Sequence, residues 1–225
     1  MIYWTLRNNC PKEWKKKFQS INQTIEHHPI IELELNNNYK YINKKISQFD
    51  IILITSPFSA ENIIEIAKDN NLKFYTVGDR ATSLLKKNNL KVLYKANNSQ
   101  ELADYISLNN NNTFLHLCSE KSDCSIWPSY VETFSIYKPK LNNEFNLNSF
   151  NIQEKSIIVF GSPSGIDEWN SKNININNSI VATMGETTKK QFKKYYNMPV
   201  ITPINSSNDE LCNAIYNYLK EQNNE

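Results

Sequence analysis

Two stretches decide the fold: Ile51-Ile52-Leu53-Ile54-Thr55-Ser56-Pro57-Phe58-Ser59-Ala60 and Ile157-Ile158-Val159-Phe160-Gly161-Ser162-Pro163-Ser164-Gly165. Each opens with four apolar, mostly β-branched residues in a row. That is how a strand buried on both faces of a parallel sheet reads. Each then passes through Ser-Pro, which suits the cap and the first position of a helix. A buried strand running directly into a helix begins a βαβ unit, and here it occurs twice.

Working outward, the next signals also come in pairs. Gly78 follows a strand-like run at Lys73–Val77, and Gly185 follows one at 180–184. Ser99-Gln100-Glu101-Leu102 and Asn208-Asp209-Glu210-Leu211 then open further helices. The interval from Ser-Pro to Gly differs by one position between the copies. The chain holds only four glycines, so two at matching places point to an internal duplication.

Other segments fit the same alternation. Residues 2–6 read as a strand, and 11–25 as a helix with Trp14, Phe18, Ile21 and Ile25 at three- and four-residue steps. Helices are expected at 60–68, 80–88, 100–107, 187–196 and 209–220, the last entered through Ser206-Ser207-Asn208. Strands are expected at 91–93 and 113–118. Strands separated by helices of this length make parallel sheets with right-handed crossovers. Residues 1–28 precede the first copy and 113–150 separate the copies. The extended stretches 29–35 and 132–138 flank the first copy. If they pair, the chain leaves one domain, builds a second and returns. The expected division is 1–31 with 139–225, an inserted domain at 36–134, and a two-strand hinge at 32–35 and 135–138.

Hydrophobic residues make up 40% of the chain and charged residues 21%, an ordinary globular balance. With 25 basic against 23 acidic residues and no basic block, nucleic acid is excluded as an expected partner. No apolar run approaches the ~18 residues of a membrane span. Met1-Ile2-Tyr3-Trp4-Thr5-Leu6-Arg7 enters a strand rather than a signal-peptide core. A cytoplasmic protein, monomeric and without a membrane partner, is expected. The scattered cysteines Cys10, Cys118, Cys124 and Cys212 read as reduced thiols. Asparagine tracts such as Asn36-Asn37-Asn38 and Asn109-Asn110-Asn111-Asn112 suit turns, because Asn tolerates left-handed backbone.

The Ser-Pro and Gly turns fall at the carboxyl edge of their strands, where ligands of α/β sheets bind. A helix start with free N–H groups and hydroxyls holds anions well, although capping alone also explains Ser-Pro. Neither Gly turn has the spacing of a dinucleotide fingerprint or phosphate loop. Cys118 and Cys124 with His116 match no zinc spacing and lack a fourth ligand, so no metal is expected. His27-His28 reads as part of a turn, and without G-x-S-x-G nucleophilic hydrolysis has no support. Tyr137 ends an extended run at 134–137, where an aromatic can pack at a domain junction with its hydroxyl wet.

Together these residues resemble the uroporphyrinogen-III synthase family over nearly the whole chain. Thr5-Leu6-Arg7 resembles the end of its first strand, and His28-Pro29-Ile30-Ile31-Glu32-Leu33 its first crossover strand. Thr55-Ser56-Pro57-x-Ser59-Ala60 and Ser162-Pro163-Ser164-Gly165 are similar to its strand-to-helix loops. Met184-Gly185-Glu186-Thr187-Thr188 resembles its Gly-x-Thr-Thr turn, and Phe134-Ser135-Ile136-Tyr137 its return strand. The sequence departs from the pattern at 118–131, which has little room for the family's helix. It departs again at Ala81, which stands where the first Gly turn carries Thr.

The resemblance implies an α/β fold of two similar parallel-sheet, flavodoxin-like domains and a cyclising lyase of tetrapyrrole and heme biosynthesis. Its substrate is hydroxymethylbilane, a linear polycarboxylate tetrapyrrole. Closure loses water and inverts the last ring, ring D, by way of a spiro intermediate. No cofactor is implied. The expected substrate contacts are Ser56, Ser59, Gly78, Thr82, Ser162, Ser164, Gly185, Thr187 and Thr188, with domains closing around the bilane. Tyr137 is the candidate general acid, worth ~10- to 100-fold in rate. A non-catalytic two-domain module that captures a small anion would use the same loops.

Overall fold

The computed structural model describes residues 1–108, 111–145, 152–176, 178–204 and 207–222. Asn109 and Asn110 of the asparagine tract and Ser206 of the last helix cap lie outside the described residues. The chain divides into two compact units, Met1–Glu32 with Lys140–Glu225 and Leu33–Pro139.

From the amino end the elements are β1 (Ile2–Trp4), α1 (Lys12–Gln19), β2 (Ile25–His27) and β3 (Ile31–Leu35). A 3₁₀ turn (Asn37–Tyr41) leads to α2 (Ile42–Ile46), β4 (Ile51–Ile54), α3 (Pro57–Asn70), β5 (Lys73–Val77) and α4 (Asp79–Lys87). Then come β6 (Lys91–Ala96), α5 (Ser99–Leu108), β7 (Phe114–Ser119) and β8 (Val131–Leu141). The chain ends with β9 (Ile157–Phe160), α6 (Pro163–Ser171), β10 (Ile180–Thr183), α7 (Glu186–Tyr195), β11 (Val200–Ile201) and α8 (Asn208–Gln222).

One sheet has the order β11-β10-β9-β1-β2 and the other β3-β8-β7-β4-β5-β6. Pairings from β4 to β5 and β7, and from β9 to β10 and β1, are all parallel. Superposing β9 on β4 sets β10 on β5, β11 on β6, β1 on β7 and β2 on β8. The duplication is therefore complete at the level of the sheet, but its chain order is permuted. Residues 1–28, outside the sequence repeat, supply for one sheet what β7 and β8 supply for the other. At the edge, Asn36 N–H donates to the Ile136 carbonyl and Asn142 N–H to the Ile30 carbonyl, an antiparallel pairing of β3 with β8.

The two central strands are buried on both faces, as their unbroken apolar runs require. Ile52 and Ile54 face a core with α2, α3 and α4, while Ile51 and Leu53 face α5 and Trp127. Ile158 and Phe160 pack with Ile166, Trp169 and Phe192 from α6 and α7. Ile157 and Val159 pack with Trp14 and Phe18 of α1 and Leu211 and Ile215 of α8. Each fully buried side chain of this size contributes ~1.5–3 kcal/mol.

Elements differ from the sequence pattern in four places. The first helix ends at Gln19 rather than 25, because Asn22 takes φ 56° and turns the chain into β2, which claims Ile25. Two short strands, β2 and β11, and the turn Asn37–Tyr41 with α2 carry no periodic signal of their own. Asn22, Asn71, Asn89, Asn173 and Asn178 all adopt positive φ, the turn role expected of asparagine. Among the described residues, no helix lies between β7 and β8, and none is long and apolar enough to cross a membrane.

Candidate functional site

Strand order fixes where a ligand can bind in each unit. In the unit that holds both chain ends, β1 and β9 are neighbours whose following segments leave in opposite directions along the sheet. In the inserted unit the same is true of β4 and β7. The carboxyl ends of such neighbours open a crevice, the topological switch point where α/β ligands bind. The Ser-Pro turns follow β9 and β4 and so stand at both switch points.

In the inserted unit Ser56 caps α3: its Oγ accepts from Phe58 N–H at 3.2 Å, and Pro57 begins the helix. The Phe58 ring lies 4.9 Å from the ring of Tyr137. Tyr137 is 7% exposed and sits at an irregularity in the β7–β8 pairing, where the register jumps between Cys118 and Ser119. The jump leaves Ile136 without a partner on β7 and places Tyr137 opposite Ser119. Ser56, Phe58 and Tyr137 thus form one cluster.

Ser59 and Thr82 are enclosed instead. Ser59 is fully buried and its hydroxyl donates to the Leu117 carbonyl at 3.1 Å. The Thr82 hydroxyl donates to the Gly78 carbonyl and shares a hydrogen bond with Thr76, both at 2.7 Å. In this structure these groups tie helices to the sheet. Gly78 caps α4 at φ 77°, a conformation that requires glycine, and a Cβ there would meet nothing within 4 Å.

In the other unit Ser162 caps α6, its Oγ accepting from Gly165 N–H at 3.4 Å, and Ser164 is half-buried in the first turn. Gly161, just before it, is needed for space: a Cβ would lie 2.4 Å from Leu6 Cγ. Gly185 likewise stands at the turn from β10 into α7 and caps that helix, but at φ −175°, extended backbone open to any residue, so a glycine-requiring conformation occurs at Gly78 and not here. Thr187 is exposed, whereas Thr188 is buried one helical turn from Phe192 and faces the core.

Two features lie beyond the expected contacts. Arg7 and Arg80 are the chain's only arginines, and both stand at carboxyl edges, Arg7 past β1 and Arg80 in the first turn of α4. Arg80 is about half exposed, 3.8 Å from Glu61. Their rarity among 25 basic residues was the available signal. The other feature is a cluster of His116, Cys118 and Cys124, whose ligand atoms all lie within 4.8 Å of one another. Burial pushes the His116 imidazole down to about 4, so it is neutral at physiological pH. Burial first, and then the Cys124 thiol, push Cys118 up.

The family model of uroporphyrinogen-III synthase HemD (HEM4) matches residues 12–213. None of the curated proteins matches the chain significantly. Among solved structures, the chain is similar to uroporphyrinogen-III synthetase from Helicobacter pylori 26695, at 16% identity and a TM-score of 0.69. That alignment covers 97% of this chain and 98% of the other. It is also similar to a mutant uroporphyrinogen III synthase from the extremely thermophilic bacterium Thermus thermophilus, at 12% identity and a TM-score of 0.61. That second likeness covers 100% of this chain and 98% of the other. At these identities the structural likeness shows the fold.

Proposed function

We infer the function from one premise: the chain belongs to the uroporphyrinogen-III synthase family. It cyclises hydroxymethylbilane with loss of water and inversion of ring D, a cyclising lyase step of tetrapyrrole and heme biosynthesis. The observation that carries this reading is the family match across residues 12–213, most of both units.

The substrate is a polycarboxylate, and the two carboxyl edges offer what carboxylates bind. Helix starts present N–H groups and a partial positive charge. The proposed contacts are Ser56, Ser162, Ser164 and Thr187 with the backbone at Gly78 and Gly185, joined by Arg7 and Arg80. A guanidinium can grip a carboxylate with two parallel hydrogen bonds, which fixes orientation as well as position.

The terminal hydroxyl of the bilane leaves readily as water, so the chain needs no strong acid-base pair. Unguided closure joins the nearer carbon of ring D and leaves the ring uninverted. The enzyme's task is to hold the other carbon against the reactive methylene, an orientation effect. Tyr137 is proposed to protonate the departing hydroxyl. Its position against the α3 start, through Phe58, favours that role.

The test is a coupled assay that generates hydroxymethylbilane in place, adds the protein and resolves the uroporphyrinogen isomers by chromatography. Isomer III rising with protein concentration is expected. Isomer I alone, at the spontaneous rate, would refute the reading.

A further inference from the structure

Beneath the crevice proposed for the tetrapyrrole, and not among its proposed contacts, metal-ligating side chains converge toward the carboxyl end of β7. His116 and Cys118 alternate along that strand and so share a face, and the loop after it brings Cys124 back onto them. Cys124 Sγ lies 3.9 Å from His116 Nδ1. His116 Nε2 is engaged by the Thr55 hydroxyl at 2.9 Å, and the Trp127 ring covers the imidazole at 4.8 Å. Trp127, His116 and Cys118 are buried, while Cys124 is only half-buried.

We propose that His116 Nδ1, Cys118 Sγ and Cys124 Sγ bind a thiophilic d10 cation, Zn(II), and leave a fourth position open toward Cys124. Two thiolates and one imidazole with an open position are an established donor set for zinc, and thiolates select soft cations over Mg(II) or Ca(II). With Zn–S near 2.3 Å and Zn–N near 2.0 Å, tetrahedral ligand atoms stand about 3.5–3.8 Å apart. The ligand atoms of the three residues, all within 4.8 Å of one another, need to close by up to about 1.3 Å, and Cys124 on its loop is free of the sheet's constraint.

Thr55 supplies what a metal-bound histidine requires. The tautomer with hydrogen on Nε2 donates to Thr55 Oγ1 and presents the Nδ1 lone pair to the sulfurs. Such a partner fixes ring orientation and raises ligand basicity. Thr55 directly precedes Ser56, so the cation would stiffen the start of α3 from beneath. Both thiols release their protons when the cation binds.

The experiment titrates the reduced, metal-free full chain with Co(II), then displaces it with Zn(II). One Co(II) per chain with a thiolate-to-cobalt charge-transfer band, bleached by Zn(II), is expected, together with a higher Tm in Zn(II). Cys124→Ala should abolish the band while keeping the native circular dichroism, since Cys124 lies outside the regular elements. Thr55→Val keeps all three ligands and should weaken Zn(II) binding ~10- to 100-fold. Absence of the band in the parent chain, its survival in Cys124→Ala, or a Cys118–Cys124 disulfide formed in place of metal uptake would each overturn the proposal. Co(II) held at the surface, for example by His27 and His28, would give no thiolate band and counts against it too.

Discussion

The two switch points share a frame and differ in what fills it. At the carboxyl ends of β1 and β9, Gly161 admits the Leu6 side chain so closely that any Cβ would collide with it. At the equivalent place between β4 and β7, Thr55 occupies the Gly161 position and reaches the neighbouring strand through His116. One crevice floor is closed by apolar packing, the other by a buried polar network. The duplication conserved the cap, Ser-Pro with an oxygen accepting from the first helical turn, and let the residue before it diverge. The helix-start geometry proposed to bind carboxylates is thus the inherited part, and the residue beneath it is where each unit found its own packing.

Substitutions can break that comparison. The largest stability effect is expected at Gly161→Ala, which forces Leu6 to move and should cost ~1–3 kcal/mol of unfolding free energy in denaturant titration. Adding Leu6→Ala should lower the penalty attributable to Gly161→Ala. An unchanged penalty would show that space at Leu6 is not the reason for the glycine. Gly78→Ala meets no atom and should cost ~1–2 kcal/mol from its backbone conformation alone, with no rescue from neighbouring substitutions.

Ser56→Ala and Ser162→Ala sharpen the shared half of the comparison. Each should lose ~1 kcal/mol of stability as a cap. If they also touch the substrate, each raises KM beyond what the fraction of folded protein explains. A KM left at the parent value in both would reduce them to caps. The smallest effect, of opposite sign, belongs to Gly165→Ala. It lies inside α6 with a new Cβ in ordinary contact at 3.8 Å, and should stabilise by ~0.5–1 kcal/mol.

Much of this was legible in the residues. Four consecutive buried apolar residues at β4 and again at β9 announce central parallel strands, because no exposed face interrupts them. The repeat was legible only in part: it marks β4, β5, β9 and β10, while the equivalence of β1 with β7 depends on a permuted chain order. Ser59, Ile63 and Ala67 recur every four residues, as do Thr188 and Phe192, and that spacing was the signal that Ser59 and Thr188 point inward. The β2 and β11 strands, three and two residues long, are too short for any period to show. His116, Cys118 and Cys124 stood out in the sequence only as donors without a zinc spacing; their convergence was not legible, because a loop, rather than a fixed spacing, brings the last donor back.

The central claim is that confinement chooses the isomer while Tyr137 only speeds the loss of water. The direct measurement is an isomer-resolved time course for the parent chain and Tyr137→Phe, at protein concentrations that outrun spontaneous closure. The account predicts isomer III from both, with the variant ~10- to 100-fold slower. Full turnover by Tyr137→Phe, or a shift of its product to isomer I while the enzyme-dependent rate persists, would contradict it.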